Sequence, residues 1–352
     1  MLEKLVGRGH NVITIGSNSD DLSLQFLNTI GVHYHEINFD KSRTNIVSIL
    51  CSMKMIFSIF LKYKPDVCLA FFLKPIFICS IIKLFYSFRL ISLIEGLGHT
   101  FMKPKKSLLR RLATYLVRFT VLMSNKVVFF NNLDLDEILA NQKKNYQNKV
   151  FLLRGMGVDL NYYSCDFKNN LNDTTNFLFL SRLLKSKGLP EFLKAAICLK
   201  NNSSMIFSVY GQLDDSEHGV SKEFLNNLHN EGIIHYGGLI YDVREPISKC
   251  DVLVLPTYYR EGLPRCIQEA MSMGRPVITT DFSACSDIII DKLNGYIIPR
   301  NDVASLIKAM DWFSLNKQKN ELFSLESRKA AERYFDSSKS DTLLIELIEN
   351  KG

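Results

Sequence analysis

The sequence predicts an α/β protein built from two parallel, doubly wound units, and three observations carry that reading. Short apolar runs alternate with amphipathic stretches along nearly the whole chain. The runs are almost continuously apolar, as strands covered on both faces by helices must be. The alternation breaks at a polar, Asn- and Asp-rich stretch, residues 164–176, and then starts again. A chain of 352 residues accommodates two domains at about 100–200 residues each. The expected division is an N-terminal unit at 1–164, a C-terminal unit at 165–325 and a helical tail at 326–352.

The elements follow in order. Leu2, Leu5 and Val6 form an apolar stripe that stops at Gly7-Arg8-Gly9-His10, and residues 12–16 then read as a strand. A helix closed by glycine and followed by a buried strand is the second half of a βαβ unit. The N-terminal sheet is therefore expected to lack its first strand, which with its loop and half-helix would take about 20 residues. A helix at 21–30, an alternating strand at 32–37, a helix at 46–62 and a buried strand at 65–71 come next. They are followed by a helix at 76–85, a strand at 89–95, a long helix at 107–124 and a strand at 126–131. In the second unit, strands are expected at 176–183, 205–211, 233–238, 251–256 and 276–281. Helices are expected at 189–199, 221–230 and 264–273, with one or two amphipathic helices over 325–347.

Composition narrows the class. At 47% hydrophobic and 22% charged the chain is neither disordered nor fibrous. Its eight cysteines form no CxxC pair and have mostly apolar neighbours, which reads as reduced core thiols and not as a disulfide framework or zinc site. No signal peptide opens the sequence, and the most apolar region, residues 70–94, is interrupted by Lys74, Lys83 and Arg89, so no spanning helix is expected. Residues 1–150 carry twenty Lys or Arg against ten Asp or Glu, while the remainder is slightly acidic. Much of that surplus sits in Lys103, Lys105, Lys106, Arg110, Arg111, Arg118 and Lys126, a stretch with no acid and with leucines interleaved. A basic amphipathic helix of this kind suits an anionic membrane surface; the plain alternative is a domain helix with a basic exposed face. No nucleic-acid-binding module accompanies the charge.

Two segments are candidates for chemistry. In Leu255–Asp281 a strand ends at Pro256, a loop carries Glu261, and Pro264 suits the first turn of a helix that Gly274 closes. Free amides near Gly262, Leu263 and Arg265 would face an anion, favoured further by the helix dipole. Glu261 and Glu269 stand in an E-x7-E spacing. Glu269 lies about 8 Å along the helix from Pro264 at 1.5 Å per residue, so one ligand can reach both ends. Alternatively both carboxylates are solvated surface charges. In the second segment, 179–196, Arg182 ends a strand and Lys187 precedes Gly188 and a helix. Ligands of open α/β sheets bind at such strand ends, where Arg and Lys can clamp a diphosphate. Asp134-Leu135-Asp136 is literally DxD, but it falls where a helix begins and reads as an N-cap before a metal ligand.

Taken together, "SRLLKSKGLPEFLKAA", "YGQLDD", "GGLIYDVREPISKCDVLVLPTYYREGLPRCIQEAMSMGRPVITTD" and "LNGYIIP" resemble the retaining nucleotide-sugar glycosyltransferases of family four, with the GT-B fold. "KPDVCLAFFLKP", "LIEGLGHTFM", "VVFFNNLDLDEI" and "GMGVDLNYY" extend the resemblance to the front half, toward the bacterial branch that builds capsule, O-antigen and lipid-linked oligosaccharides. The resemblance implies two Rossmann-like domains facing a central cleft, and transfer of a sugar from a nucleotide donor, UDP-linked, to a lipid-linked saccharide. It implies no cofactor and no metal, and a cytoplasmic enzyme peripheral to the inner face of the plasma membrane. Arg182 and Lys187 fall on the family's diphosphate-binding pair, Glu261 on the Glu near the donor sugar, and Glu269 on the Glu that accepts from the ribose. Gly262, Leu263 and Pro264 fall where sugar and distal phosphate are held. Gly211 follows the strand lining the nucleotide pocket, and Tyr241 and Val243 precede the helix under the base. His99 faces the cleft by motif position, to contact the donor sugar or accept a proton, and the Gly96-Leu97-Gly98 backbone shapes the acceptor side. A catalytically inactive partner subunit and a sugar-nucleotide epimerase are the alternatives on the same fold.

Overall fold

The computed structural model describes residues 1–17, 19–37, 46–104, 106–140, 145–165, 174–214, 216–260, 262–281 and 284–350. The first unit runs α1 (Leu2–Gly7), β1 (Ile13–Gly16), α2 (Asp21–Thr29), β2 (His33–Glu36), α3 (Ile46–Tyr63), β3 (Val67–Phe71) and α4 (Leu73–Ile82). It continues through β4 (Arg89–Ile94), α5 (Leu108–Met123), β5 (Lys126–Phe129), α6 (Asn132–Leu139) and β6 (Val150–Leu152). Every pairing is parallel. Among the described residues these strands form two sheets, β1-β2 and β3-β4-β5-β6.

The second unit has β7 (Thr175–Leu180), α7 (Leu189–Leu199), β8 (Met205–Tyr210), α8 (Lys222–Asn230), β9 (His235–Gly238), α9 (Arg244–Lys249) and β10 (Val252–Leu255). Then come α10 (Arg265–Ser272), β11 (Val277–Thr280), β12 (Gly295–Ile298), α11 (Val303–Leu315), α12 (Asn320–Tyr334) and α13 (Ser337–Glu349). Its sheet is six-stranded and parallel in the order β12-β11-β10-β7-β8-β9. The first strand thus lies in the middle and the chain winds outward in both directions, the doubly wound arrangement. Phe177, Leu178, Phe179, Val252, Leu253, Val254 and Leu255 are all fully buried. With helices on both faces, neither side of these central strands meets water, which is why they read as unbroken apolar runs.

β6, β12 and α11 lie outside the sequence expectation. The first two are edge strands of three and four residues, too short to display a period. The expected tail divides between the two units. α12 packs against α10, whereas Leu344 and Leu347 of α13 share a buried cluster with Ile91, Leu93, Val128 and Phe130. Strand side chains alternate between faces, so α13 covers one face of β4 and β5 while Leu90, Ile94, Val127 and Phe129 belong to the core on the other. Ion pairs fasten the same helix to the chain start: Asp341 with the Met1 amine and Lys4, both at 2.9 Å, and Glu349 with Arg8 at 2.8 Å. Arg89 also donates to the carbonyls of Ile348 and Asn350. Among the described residues, no helix is long and apolar enough to cross a membrane.

Candidate active site

A doubly wound sheet leaves a crevice at the carboxyl ends of its strands where the order reverses. Here that point lies between β7 and β10, and the loops after these two strands carry the expected basic residues and the glutamate loop. The loops are tied together: Tyr258 N–H donates to Ser186 O at 3.0 Å and Thr257 Oγ1 to the same oxygen at 3.3 Å. Lys187 is only 5% exposed, and its ammonium lies 5.6 Å from the centre of the Tyr259 ring. Arg182 stays exposed. The Asp214 carboxyl is held below its ordinary value, chiefly by hydrogen bonds from Ser216 and in smaller part by the Arg182 charge.

On the β10 side, Pro264 occupies the N-cap of α10 and Leu263 is buried. Among the described residues, the amides of Gly262 and Leu263 donate to no partner, which leaves them available to an anion beside a helix N-terminus. Glu261 lies outside the described residues. At Gly262 a side chain has no room: a Cβ there would fall 2.4 Å from the carbonyl oxygen of Glu95 in the first unit. Gly211, directly after β8, is similarly constrained, because a Cβ would fall 1.7 Å from Ser181 O in the loop after β7.

Glu269 is buried on α10, and its Oε1 accepts from Tyr163 Oη at 2.9 Å and Arg265 Nε at 2.8 Å. Burial, reinforced by the Glu269 charge, pushes the Tyr163 hydroxyl up to about 12. The expected ribose acceptor therefore has one oxygen engaged within the chain, leaving Oε2 without a hydrogen bond among the described residues. Neighbouring Gln268 accepts from Gly157 N–H at 3.0 Å, so α10 is braced on the segment that leads from one unit into the other. Tyr241 is 93% exposed. Val243 precedes α9, where Arg244 pairs with Asp242 and stacks 3.8 Å from the centre of the Tyr162 ring. The Tyr162 and Tyr163 contacts have no signature in sequence spacing.

The first unit meets this crevice with the loop after β4. Gly98 takes a positive φ of 72° and leads into the helical turn His99–Met102; the side chain of His99 lies outside the described parts. Glu95, absent from the sequence expectation, is half-buried, and burial raises its carboxyl above the ordinary value. The DxD stretch also reads differently in three dimensions. Asn131 caps α6, accepting from Asp134 N–H at 2.7 Å, and Asp134 is buried and paired with Arg260 across the crevice at 2.9 Å. Among the described residues, no group of three His, Cys, Asp or Glu side chains is gathered to hold a metal ion.

Residues 165–330 match the family described as glycosyl transferases group 1. The chain is 28% identical over 217 residues to the N,N'-diacetylbacillosaminyl-diphospho-undecaprenol alpha-1,3-N-acetylgalactosaminyltransferase of Campylobacter jejuni, covering 58% of this chain and 55% of that one. It is 23% identical over 224 residues to the UDP-Gal:alpha-D-GlcNAc-diphosphoundecaprenol alpha-1,3-galactosyltransferase of Escherichia coli, covering 60% and 57%. The chain thus spans little more than half the length of these relatives. Among solved structures, Anabaena HepE in complex with UDP and glucose superposes with a TM-score of 0.77 at 14% identity, over 99% of this chain and 94% of that one. Residues 165–330 are thus a glycosyl transferases group 1 domain, and the likeness over almost the full length shows the GT-B fold, as the resemblance to the family-four glycosyltransferases implies.

Proposed function

We propose that this chain moves a sugar from a UDP-linked donor to a lipid-linked saccharide, with retention of configuration, in the assembly of a bacterial surface polysaccharide. The observation that carries the reading is that Arg182 and Lys187 follow β7 while the free amides at the start of α10 follow the neighbouring β10, the two loops being tied together at Ser186. In this reaction the sugar C1–O bond to the diphosphate breaks while a bond from C1 to the acceptor oxygen forms on the same face. The acceptor proton leaves with the departing phosphate. Negative charge builds on the diphosphate, and the two cations with the helix terminus stabilise it from the chain's own groups. Glu261 is assigned to the donor sugar hydroxyls and Glu269, through Oε2, to the ribose. The two undecaprenol-linked relatives support the acceptor class.

Transfer from radiolabelled UDP-sugars to a membrane lipid extract tests the proposal: label entering the lipid fraction is expected. UDP binding without turnover favours the inactive partner, and a rearranged sugar without lipid label favours the epimerase. The close approach at Gly262 gives a sharper expectation. Gly262→Ala drives a methyl into the Glu95 backbone and is expected to lower transfer about 100-fold, the usual cost of roughly ångström-scale misplacement. Thermal unfolding should stay within a few degrees of the parent.

A lipid-linked acceptor requires contact with a membrane, and α5 has a face for it. Leu108, Leu112, Tyr115 and Leu122 are exposed and, with Phe119, follow the spacing of one helix face. The opposite face, Arg110, Val117 and Val121, is buried. Cations border the apolar stripe, with Lys103, Lys106 and Arg111 exposed near its start. At its end, Lys149 Nζ donates to Leu122 O at 2.9 Å, and Lys83 bonds Asn125 beside exposed Leu84 and Phe85. The proposed site of action is accordingly the cytoplasmic face of the plasma membrane. Leu112→Asp and Tyr115→Asp are each expected to weaken co-sedimentation with phosphatidylserine-containing vesicles about tenfold or more, from roughly 1.5–3 kcal/mol per apolar side chain withdrawn from water. Binding to neutral vesicles should be weak throughout.

A further inference from the structure

Arg260 belongs to the loop after β10, yet its side chain is committed to the other unit. Nε donates to Asp134 Oδ1 at 2.9 Å, Nη2 to Glu137 Oε2 at 3.0 Å and Nη1 to Phe101 O at 3.4 Å. The guanidinium lies 5.7 Å from the centre of the Phe101 ring. Its main chain joins in, as Arg260 O accepts from Gly98 N–H at 3.3 Å. Asp134 is 1% exposed. While one of its oxygens holds Arg260, the other accepts from Leu97 N–H at 3.1 Å and from Asn131 Nδ2 at 3.0 Å. Glu137 is held in turn by Arg110. Burial alone would raise the Glu137 carboxyl, but the Arg110 hydrogen bond and the Arg260 charge carry it below its ordinary value.

These contacts form a charge-balanced set of two arginines and two carboxylates, largely shielded from water. A buried ion pair is weak as a source of stability, because desolvation offsets its attraction; its best-attested use is to fix register. Here the register is between two loops. Asp134 touches the loop after β4 through Leu97 and the loop after β10 through Arg260. Two residues beyond Arg260, Gly262 rests against Glu95. We infer that Arg260 is a positioning residue: gripped by Asp134 and Glu137, it sets the donor-side loop of the second unit against the Glu95–Gly98 loop of the first. The catalytic part of this inference rests on the glycosyltransferase reading above; the interdomain part does not.

The test uses Arg260→Gln, Asp134→Asn, the double variant and Arg260→Lys, each with three readouts. Calorimetric titration with UDP should give affinities within about twofold of the parent, since Arg182 and Lys187 are untouched. Small-angle scattering should show both single variants sampling more open arrangements of the two units. Where transfer is measured, kcat should fall about 10- to 100-fold. The double variant should be no worse than the worse single one, because both changes break one unit, and Arg260→Lys should recover part of the loss by restoring the charge without the fork. Multiplicative losses in the double variant, UDP affinity falling in step with kcat, or unchanged scattering would each overturn the inference. If Arg260→Gln does not fold, Arg260→Lys decides: scattering and kcat both equal to the parent's would also overturn it. Scattering needs no turnover, so the anchor can fail or stand independently of the proposed reaction.

Discussion

Replacing Arg182 with alanine is expected to reduce sugar transfer about 100- to 1,000-fold, the scale on which loss of one preorganised charge-stabilising donor acts. The residue is exposed and follows a strand buried at every position but Asn176, so the fold should be unaffected. Much of the loss should fall in kcat, because charge on the leaving diphosphate is greatest in the transition state. A weaker effect on UDP affinity, about 10-fold, corresponds to one charge-assisted hydrogen bond at the low end of the roughly 1.5–3 kcal/mol range. Arg182→Lys should recover only a fraction, since an ammonium cannot grip two phosphate oxygens as a guanidinium fork does. A variant with full activity would remove the diphosphate clamp from the proposed mechanism.

The largest expected effect on stability lies on α13, at Leu344. This side chain is fully buried where α13 covers the face of β4 and β5 opposite the main N-terminal core. Leu344→Ala is expected to cost about 2–5 kcal/mol, the range for a buried leucine truncated in a core that only partly relaxes. The damage should be local to the first unit. Hydrogen exchange ought to accelerate in β4 and β5 while β7, β8 and β10 keep their protection. Equal loss in both sheets would mean that the two units unfold as one.

These two sites differ in how far they could be read from sequence. Arg182 and Lys187 were legible because a glycine-closed turn between an apolar strand and an amphipathic helix marks a strand end, where sheet topology concentrates ligands. The α10 start was legible for the same reason, Pro264 and Gly274 bracketing a helix whose entrance holds free amides. Leu344 is visible as part of an amphipathic helix, but periodicity tells only that a face is buried, never against what. Nothing local to residues 337–349 indicates a return across both units to the first sheet. Arg260 and Asp134 show the same limit at the site. Each sits in a recognisable stretch, one beside Glu261 and the other in a DxD, yet their pairing joins residues 126 positions apart and exists only once two separately folded sheets are docked. The Glu269–Tyr163 bond, spanning 106 positions, was hidden in the same way. Short edge strands failed for a simpler reason, as three or four residues cannot establish a period of two.

The proposed reaction places its chemistry in one crevice between β7 and β10, and a single measurement addresses that proposal most directly. It is transfer from a panel of radiolabelled UDP-sugars into membrane lipid, run in parallel for the parent chain and Arg182→Ala, with EDTA present. One donor labelling a lipid-linked saccharide with the parent, insensitive to EDTA and about 100-fold or more slower with the variant, is the predicted result. Lipid labelling that persists undiminished in Arg182→Ala, or that EDTA abolishes, would contradict the account.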